Sequence, residues 1–324
     1  MAEERYAVVG AGLAGLAAAR TLVAAGLAVD LFEKSRGSGG RIATRRALGT
    51  TFDHGAQYVT VRDPAFAAAL APLEAAGQVV DYRPRWGEGA PVAGRLWVGA
   101  PGMAEIGRGL AAALGPRATL QHEWTVRRVA READGWWLAD GDGRRAGPYA
   151  ALVLAIPAPQ ARALLAAGDP LEAPLAAVRM QACLALLLTF AVPLATAVDI
   201  DWRTDPVLPF VARNSAKPGR PPAEAWVLHA DGDWSEVHGE DEPGSLAQRL
   251  VAALGPRLGL ALPPVTGQVL HRWRYARVIE PLGADCLYDA ARRLVLCGDW
   301  CIGARAEAAF CSGTAAAGRL LAGG

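Results

Sequence analysis

Gly10, Gly12 and Gly15 stand in the spacing G-x-G-x-x-G, and Glu33 closes the next apolar run. Residues of these types at these intervals can bind a dinucleotide. Gly10 permits a tight turn, Gly12 lets a pyrophosphate approach the backbone, and Gly15 lets a helix pack closely on a strand. The helix start then offers free N–H groups and a positive dipole end to the phosphates. Glu33 is placed to accept hydrogen bonds from a ribose diol and disfavours NADP, because a carboxylate repels a 2′-phosphate. On these residues alone, NAD and FAD both remain.

The elements that must position this set are legible. Tyr6–Val9 reads as a short buried strand, Leu13–Ala24 as an alanine-rich helix and Ala28–Phe32 as a second strand. The stretch after Glu33, EKSRGSGGRIATRR, packs glycines and arginines in a way that fits a second cofactor loop, a basic linker or a solvated turn. Gly39 and Gly40 would let backbone close on a cofactor, and Arg41 can neutralise pyrophosphate charge.

SRGSGGRIATRR followed by FDHGAQYVT resembles the second signature of the FAD-dependent amine-oxidase superfamily. The resemblance implies non-covalent FAD, with the Gly40–Arg41 turn and the Ala56–Gln57 segment beside the flavin and Arg45 and Arg46 left as surface or entrance charges. Residues 294–318, LVLCGDWCIGARAEAAFCSGTAAAG, read as a strand Leu294–Cys297, a Gly298-Asp299 turn and a helix from Glu307. In that superfamily the aspartate bonds the ribityl chain and the helix start, here around Ala308, faces the flavin O2 side. Gly313 would allow close helix packing. The strand-like Trp124–Val129 would place Val126 beside adenine, and Ala151–Pro159 reads as a buried strand broken by prolines. The cofactor set implied is Gly10, Ala11, Gly12, Gly15, Glu33, Lys34, Gly40, Arg41, Ala56, Gln57, Val126, Asp299 and Ala308.

The fold expected is α/β: a Rossmann-like FAD-binding domain with an inserted α+β substrate domain carrying an antiparallel sheet, of the amine-oxidase and hydroxybenzoate-hydroxylase type. Residues 1–69, 98–160 and 286–324 go to the first domain, and 70–97 and 161–285 to the second. Cys183–Phe190, Ala225–Ala230 and Val269–Tyr275 supply the sheet, and the proline-rich 214–224 reads as a loop.

Longer stretches resemble the renalase branch of the superfamily in its bacterial form: DLFEKSRGSGGR, FDHGAQYVTVRDPAF, LWVGAPGMAEI, VARNSAKP, WVLHADGDWS, LHRWRYAR and LVLCGDWCIGARAEAAFCSG. The resemblance implies oxidation of off-pathway dihydro-NAD(P) isomers, the 2-dihydro form preferred, with hydride passing to flavin N5. O2 then reoxidises the flavin to give hydrogen peroxide, and the biological role implied is metabolite repair. The rival readings are a flavin amine oxidase, a flavin monooxygenase and a non-catalytic flavin-binding module.

No single residue stands out as a catalytic acid or base. Candidate substrate contacts are Gln57, Tyr58, Trp97, Asn214, His229, Trp234, His271, Trp273 and Tyr275, since aromatic faces can sandwich a nicotinamide and Asn or His can bond its carboxamide. His54 fits either the flavin or a turn, and His122 and His238 read as surface. Of the 33 basic residues the lysines are Lys34 and Lys217 alone. Amine oxidases of the superfamily commonly use a sheet lysine, and Lys217 in a proline-rich loop is a poor candidate for it. A hydride donor needs no base, because hydride loss leaves an aromatic cation; it needs orientation and a dry pocket.

The remaining composition sets limits. A formal charge of +1 argues against nucleic acid as a partner. Cys297 and Cys301 lack C-x-x-C spacing and read as small buried thiols, and the scattered histidines form no metal set. Without a signal-like or membrane-length apolar run, a cytoplasmic protein acting on a small dinucleotide and O2 is the expectation. No pattern identifies an oligomer interface.

Overall fold

A computed structural model describes residues 4–89, 92 and 94–323. β1 (Arg5–Val9), α1 (Leu13–Ala24) and β2 (Ala28–Phe32) form the expected strand–helix–strand unit. The hairpin β3 (Thr44–Ala47) and β4 (Thr50–Asp53) follows, then β5 (Val59–Thr60), α2 (Pro64–Ala75), β6 (Val79–Tyr82), β7 (Leu96–Gly99), α3 (Ala104–Ala112) and β8 (Ala118–Gln121). A meander of β9 (Arg128–Glu132), β10 (Gly135–Ala139) and β11 (Arg145–Tyr149) leads into β12 (Ala151–Leu154), α4 (Ala158–Arg162) and α5 (Glu172–Ala177). Next come β13 (Arg179–Phe190), β14 (Ile200–Trp202), β15 (Phe210–Arg213), β16 (Ala225–His229), α6 (Gly232–His238), α7 (Pro243–Leu258) and β17 (Val265–Glu280). The chain ends with β18 (Leu287–Asp289), β19 (Leu294–Leu296), α8 (Asp299–Ile302) and α9 (Ala306–Ala322).

The nucleotide sheet has the order β18-β19-β12-β1-β2-β8. Its core strands pair in parallel and are apolar on both faces, as a parallel sheet between two layers requires. Gly313 of α9 packs on α1 so closely that a Cβ there would collide with the Ala14 carbonyl. The end of the chain thus closes the layer that its beginning opens.

The second sheet is antiparallel in the order β14-β15-β16-β13-β17. Alternation along its strands separates two faces. Leu184, Leu186, Leu188, Trp226 and Leu228 pack under α6 and α7 with Trp234, Leu246, Leu250 and Leu254. Leu187, Ala225 and Val227 face the other way, onto Phe52 of β4. On that second face Ala185 registers against both His229 and His271, and Phe210 against His229.

Three local expectations change. Residues 124–127 belong to no strand, and the strand begins at Arg128; the Trp124 N–H goes to the Glu33 carbonyl at 3.0 Å and its ring meets Phe32 edge-on. Asp299 does not sit in a simple turn but opens α8, whose Asp299 carbonyl receives the Gly303 N–H at 2.7 Å. The 214–224 loop begins with a 3-10 turn over Asn214–Ala216.

Candidate functional site

At the nucleotide end the glycines divide by what they do. Gly10 has φ +99°, and a Cβ there would lie 2.6 Å from the Ala155 oxygen. A Cβ on Gly15 would collide with the Gly10 carbonyl. Both are required by the protein itself. Gly12 is different: a Cβ there would meet no atom within 4 Å. Its bare backbone, at the start of a helix without a side-chain cap, is a cradle that a side chain would fill, and it fits a pyrophosphate.

Glu33 lies buried under this loop, accepting from the Ala11 and Ser35 N–H groups at 2.8 Å each. The Gly39 N–H donates to the Ala11 carbonyl at 2.8 Å, and so stitches the two glycine loops together. Arg41 makes a bidentate pair with Asp299 at 2.9 and 2.6 Å and also donates to the Ala276 carbonyl at 3.0 Å. Its own carbonyl receives the Ala56 N–H at 2.9 Å. Arg41, Ala56 and Asp299, far apart in the chain, therefore meet. Ala308 is buried in the first turn of α9, a helix that has no side-chain cap, and Val126 is buried with Phe32 and Trp124. Lys34 is exposed, with Glu33 turned inward beside it.

The sheet side is built from side chains. The His54 carbonyl accepts from His229 Nε2 at 3.2 Å and from Trp273 Nε1 at 3.0 Å. The His54 ring stacks on Trp273, centroids 4.9 Å apart, and meets His271 edge-on at 4.7 Å. His229 stacks on Phe210 at 5.4 Å. Arg45 Nη1 lies 3.3 Å from His271 Nδ1. Burial, with help from His271 and Arg45, pushes His54 down to about 4. Burial, with Lys217, does the same to His229, to about 4. His271 is lowered by burial and by Arg45. The three imidazoles are neutral at pH 7.

Beneath them lies a buried charge network. Asp53 Oδ2 receives Lys217 Nζ at 3.0 Å and Arg220 Nη2 at 2.5 Å, while Oδ1 receives Thr44 Oγ1 at 2.7 Å and the Met103 N–H at 2.9 Å. Burial alone would raise the Asp53 pKa; Lys217, Arg220 and the Met103 N–H outweigh it and hold the carboxyl at about 2. Burial pushes Lys217 down to about 8 although Asp53 pulls it up. Lys217 Nζ also donates to Gln57 Oε1 at 2.7 Å.

Of the sequence candidates, the structure brings His229, His271 and Trp273 together around His54. Tyr275 lies in the bulge between Trp273 and Arg277, where β17 carries extra residues against β13. Gln57 is used up: its Nε2 donates to the Asp53 and Gly55 carbonyls and its Oε1 accepts from Lys217, so it clamps the 53–57 turn. Asn214 is likewise spent on β4, accepting the Asp53 N–H at 3.1 Å and donating to the Thr51 carbonyl at 2.8 Å. Tyr58 is half-buried, edge-on to Trp86, and burial raises its pKa to about 12. Trp97 lies under Arg95, whose guanidinium is 4.0 Å from the ring centroid, and does not join the histidines. Trp234 belongs to the opposite face of the sheet, packed with the α7 leucines and Arg249.

Sequence reasoning missed Asp53 and Arg220 and set Lys217 aside. The loop argument failed because Lys217 is buried despite its loop, its charge matched by Asp53 from a distant strand. A usable signal was present: K-x-x-R in an apolar, proline-bounded loop needs a buried carboxylate partner.

The comparisons with known proteins agree with this geometry. Residues 8–73 match the NAD(P)-binding Rossmann-like domain, and residues 91–321 match the flavin containing amine oxidoreductase family. A 4,4′-diapophytoene desaturase of Staphylococcus haemolyticus is 51% identical over 57 residues, 18% of this chain and 11% of that enzyme. Solved structures similar over their whole length include a protein assigned as a protoporphyrinogen oxidase from Exiguobacterium sp. 255-15, with TM-score 0.77, 14% identity and 98% and 99% of the two chains covered. Cyclohexylamine oxidase from Brevibacterium oxydans IH-35A gives TM-score 0.74 at 14% identity over 98% of each chain. Putrescine oxidase bound to putrescine gives 0.70 at 14% over 99% of each. At these identities the structures speak for the fold; the family match, which spans most of the chain, shows that this protein belongs to the flavin containing amine oxidoreductases.

Proposed function

We propose that this FAD-dependent oxidoreductase oxidises off-pathway dihydro-NAD(P) isomers, the 2-dihydro form preferred, as a metabolite-repair oxidase of the renalase type. The observation that carries the reading is the chemistry of the sheet face against the His54 turn: neutral His54, His229 and His271 with the Trp273 indole, above a carboxylate already saturated. An alkylammonium substrate seeks a free carboxylate, and Asp53 is taken by Lys217, Arg220, Thr44 and Met103. A dihydronicotinamide seeks flat apolar faces for its ring and cations for its phosphates. Arg45 and Arg46 on the hairpin have no ion-pair partner among the described residues.

Bound FAD supplies the hydride acceptor and the route of electrons to O2, giving hydrogen peroxide and NAD(P)+. Gly10–Gly15, Glu33, Arg41 and Asp299 would hold it. The chain's own residues bind the donor ring, orient it and exclude water; no side chain needs to take a proton, which suits imidazoles whose pKa values lie near 4. The reading carries with it a cytoplasmic location, a small dinucleotide and O2 as the partners, and a flavin domain of residues 1–69, 98–160 and 286–324 enclosing the substrate domain.

One observation favours a second reading, a flavin amine oxidase. Lys217 is a buried lysine with a lowered pKa of about 8, linked to the turn beside Arg41 through Gln57. Anaerobic rapid mixing separates the two. The holoenzyme would be mixed with equilibrated NADH containing its isomers, with pure 4-dihydro NADH and with primary and secondary amines, following the flavin absorbance. Bleaching by the isomer-containing sample alone supports the repair oxidase. Bleaching by amines, or none by any isomer, overturns it.

A further inference from the structure

Two imidazoles on the sheet face that meets His54 have hydrogen-bond characters dictated by their partners. His271 Nδ1 lies 3.3 Å from Arg45 Nη1. A guanidinium carries donors only, so this nitrogen must be the bare one. The ring is neutral, and its proton therefore sits on Nε2. His229 Nε2 lies 3.2 Å from the His54 carbonyl, which can only accept, so here Nε2 carries the proton and Nδ1 is bare. Neither His271 Nε2 nor His229 Nδ1 is bonded to any described residue. One ring thus presents a donor and the other an acceptor.

The two are placed to act on one group. Both register against Ala185, so they stand on one face, two strand spacings or about 9.5 Å apart, with the Ala185 methyl on the strand between them and His54 against both. Both are braced. His229 stacks on Phe210 at 5.4 Å, and His271 lies edge-on to Trp273 at 4.4 Å and to His54 at 4.7 Å.

The geometry points to a primary-carboxamide subsite. His271 Nε2–H donates to the amide oxygen, His229 Nδ1 accepts from the amide NH2, and Arg45 is the positioning residue that fixes the His271 tautomer. The inference rests on the dihydronicotinamide reading and names the atoms that recognise that ring's substituent. A ketone in place of the amide keeps one of the two bonds. A carboxylate sets an acceptor against the bare His229 nitrogen and is rejected.

The test uses holoenzyme and titrates the flavin absorbance with NAD+, its 3-acetylpyridine analogue and nicotinic acid adenine dinucleotide. Wild type should bind the amide about 10-fold tighter than the ketone, one hydrogen bond's worth, and the acid more weakly still. His229→Phe, or His229→Leu where the larger ring disturbs folding, should abolish the amide–ketone difference while ketone binding persists. Nitrogen-15 NMR should show His271 as the Nε2–H tautomer, a mixture in Arg45→Met, and the single tautomer again in Arg45→Gln, whose amide still donates. Equal weakening of amide and ketone in the His229 variants, or a Nδ1–H tautomer at His271 in wild type, overturns the subsite. Flavin reduction by dihydro isomers is measured on the same wild-type sample. If reduction fails, the substrate reading falls and this inference with it; if reduction proceeds but the ratio does not collapse, the subsite alone falls.

Discussion

The two ends of the site are made by different means. The nucleotide end is a product of backbone sterics: Gly10, Gly15 and Gly40 let main chain lie where side chains cannot, and one acidic residue, Glu33, is tied to the same loop by main-chain N–H groups. The sheet end is a product of side chains. Asp53, Lys217, Arg220, His54, His229, His271 and Trp273 come from four stretches of chain and take their properties from one another. A backbone-built site tolerates almost no change at its few required positions. A side-chain site loses function in graded steps.

The largest effect should come from Gly15→Ala, which drives a methyl into the Gly10 carbonyl and should cost about 3 kcal/mol, with FAD lost on purification. Its counterpart Gly12→Ala meets no protein atom and should leave the unfolding free energy within about 0.5 kcal/mol while FAD retention falls. Thermal unfolding and bound-flavin absorbance of the two variants would test this division; equal destabilisation would break it.

On the sheet side, Arg220→Met removes one of the two cations on a fully buried carboxylate and should destabilise by about 3 kcal/mol in chemical denaturation. Lys217 then supplies a pH signature. Its folded pKa of about 8 lies below the ordinary 10.5, so the protonated lysine carries a penalty that is full below pH 8 and is relieved between 8 and 10.5. Wild type should therefore gain stability relative to Lys217→Met across that window; a loss would contradict the burial argument. At the acid end the signs differ. His54 and His229, ordinary value 6.5, are held at about 4, so the unfolded chain takes up protons first and stability should fall from pH 6.5 down to about 4. Replacing His229 by Asn should flatten that fall.

The smallest effects sharpen the same boundary. Trp273→Phe loses the N–H to the His54 carbonyl and should slow flavin reduction by roughly fivefold, about 1 kcal/mol. Trp234→Phe, on the covered face of the sheet, should leave the reduction rate within about twofold of wild type. Rapid-mixing traces of the two variants would settle which tryptophan belongs to the site.

What could be read from the sequence follows the same division. The strand–glycine loop–helix–strand unit is contiguous, and its periodicity and spacing gave α1 and β2 to the residue. The antiparallel sheet was visible as alternating strands. Pairing was not, and pairing decides which side chains meet. His229 and His271 gain their relation only through their common register with Ala185, and Trp234 lost its expected role only because it follows Ala230, on the far face. Lys217 shows the limit most plainly. It was set aside for standing in a proline-rich loop and not on a sheet strand, yet Asp53, more than 160 positions earlier, makes burial of its charge tolerable.

The account's central claim is that the sheet face orients a hydride donor and moves no proton. The direct test is the rate constant of anaerobic flavin reduction by the dihydro isomer between about pH 6 and 7.5, above the titration of His54 and His229 and below that of Lys217. The account predicts a flat profile. A rate rising about tenfold per pH unit, as a substrate that must first lose an ammonium proton would give, would contradict it.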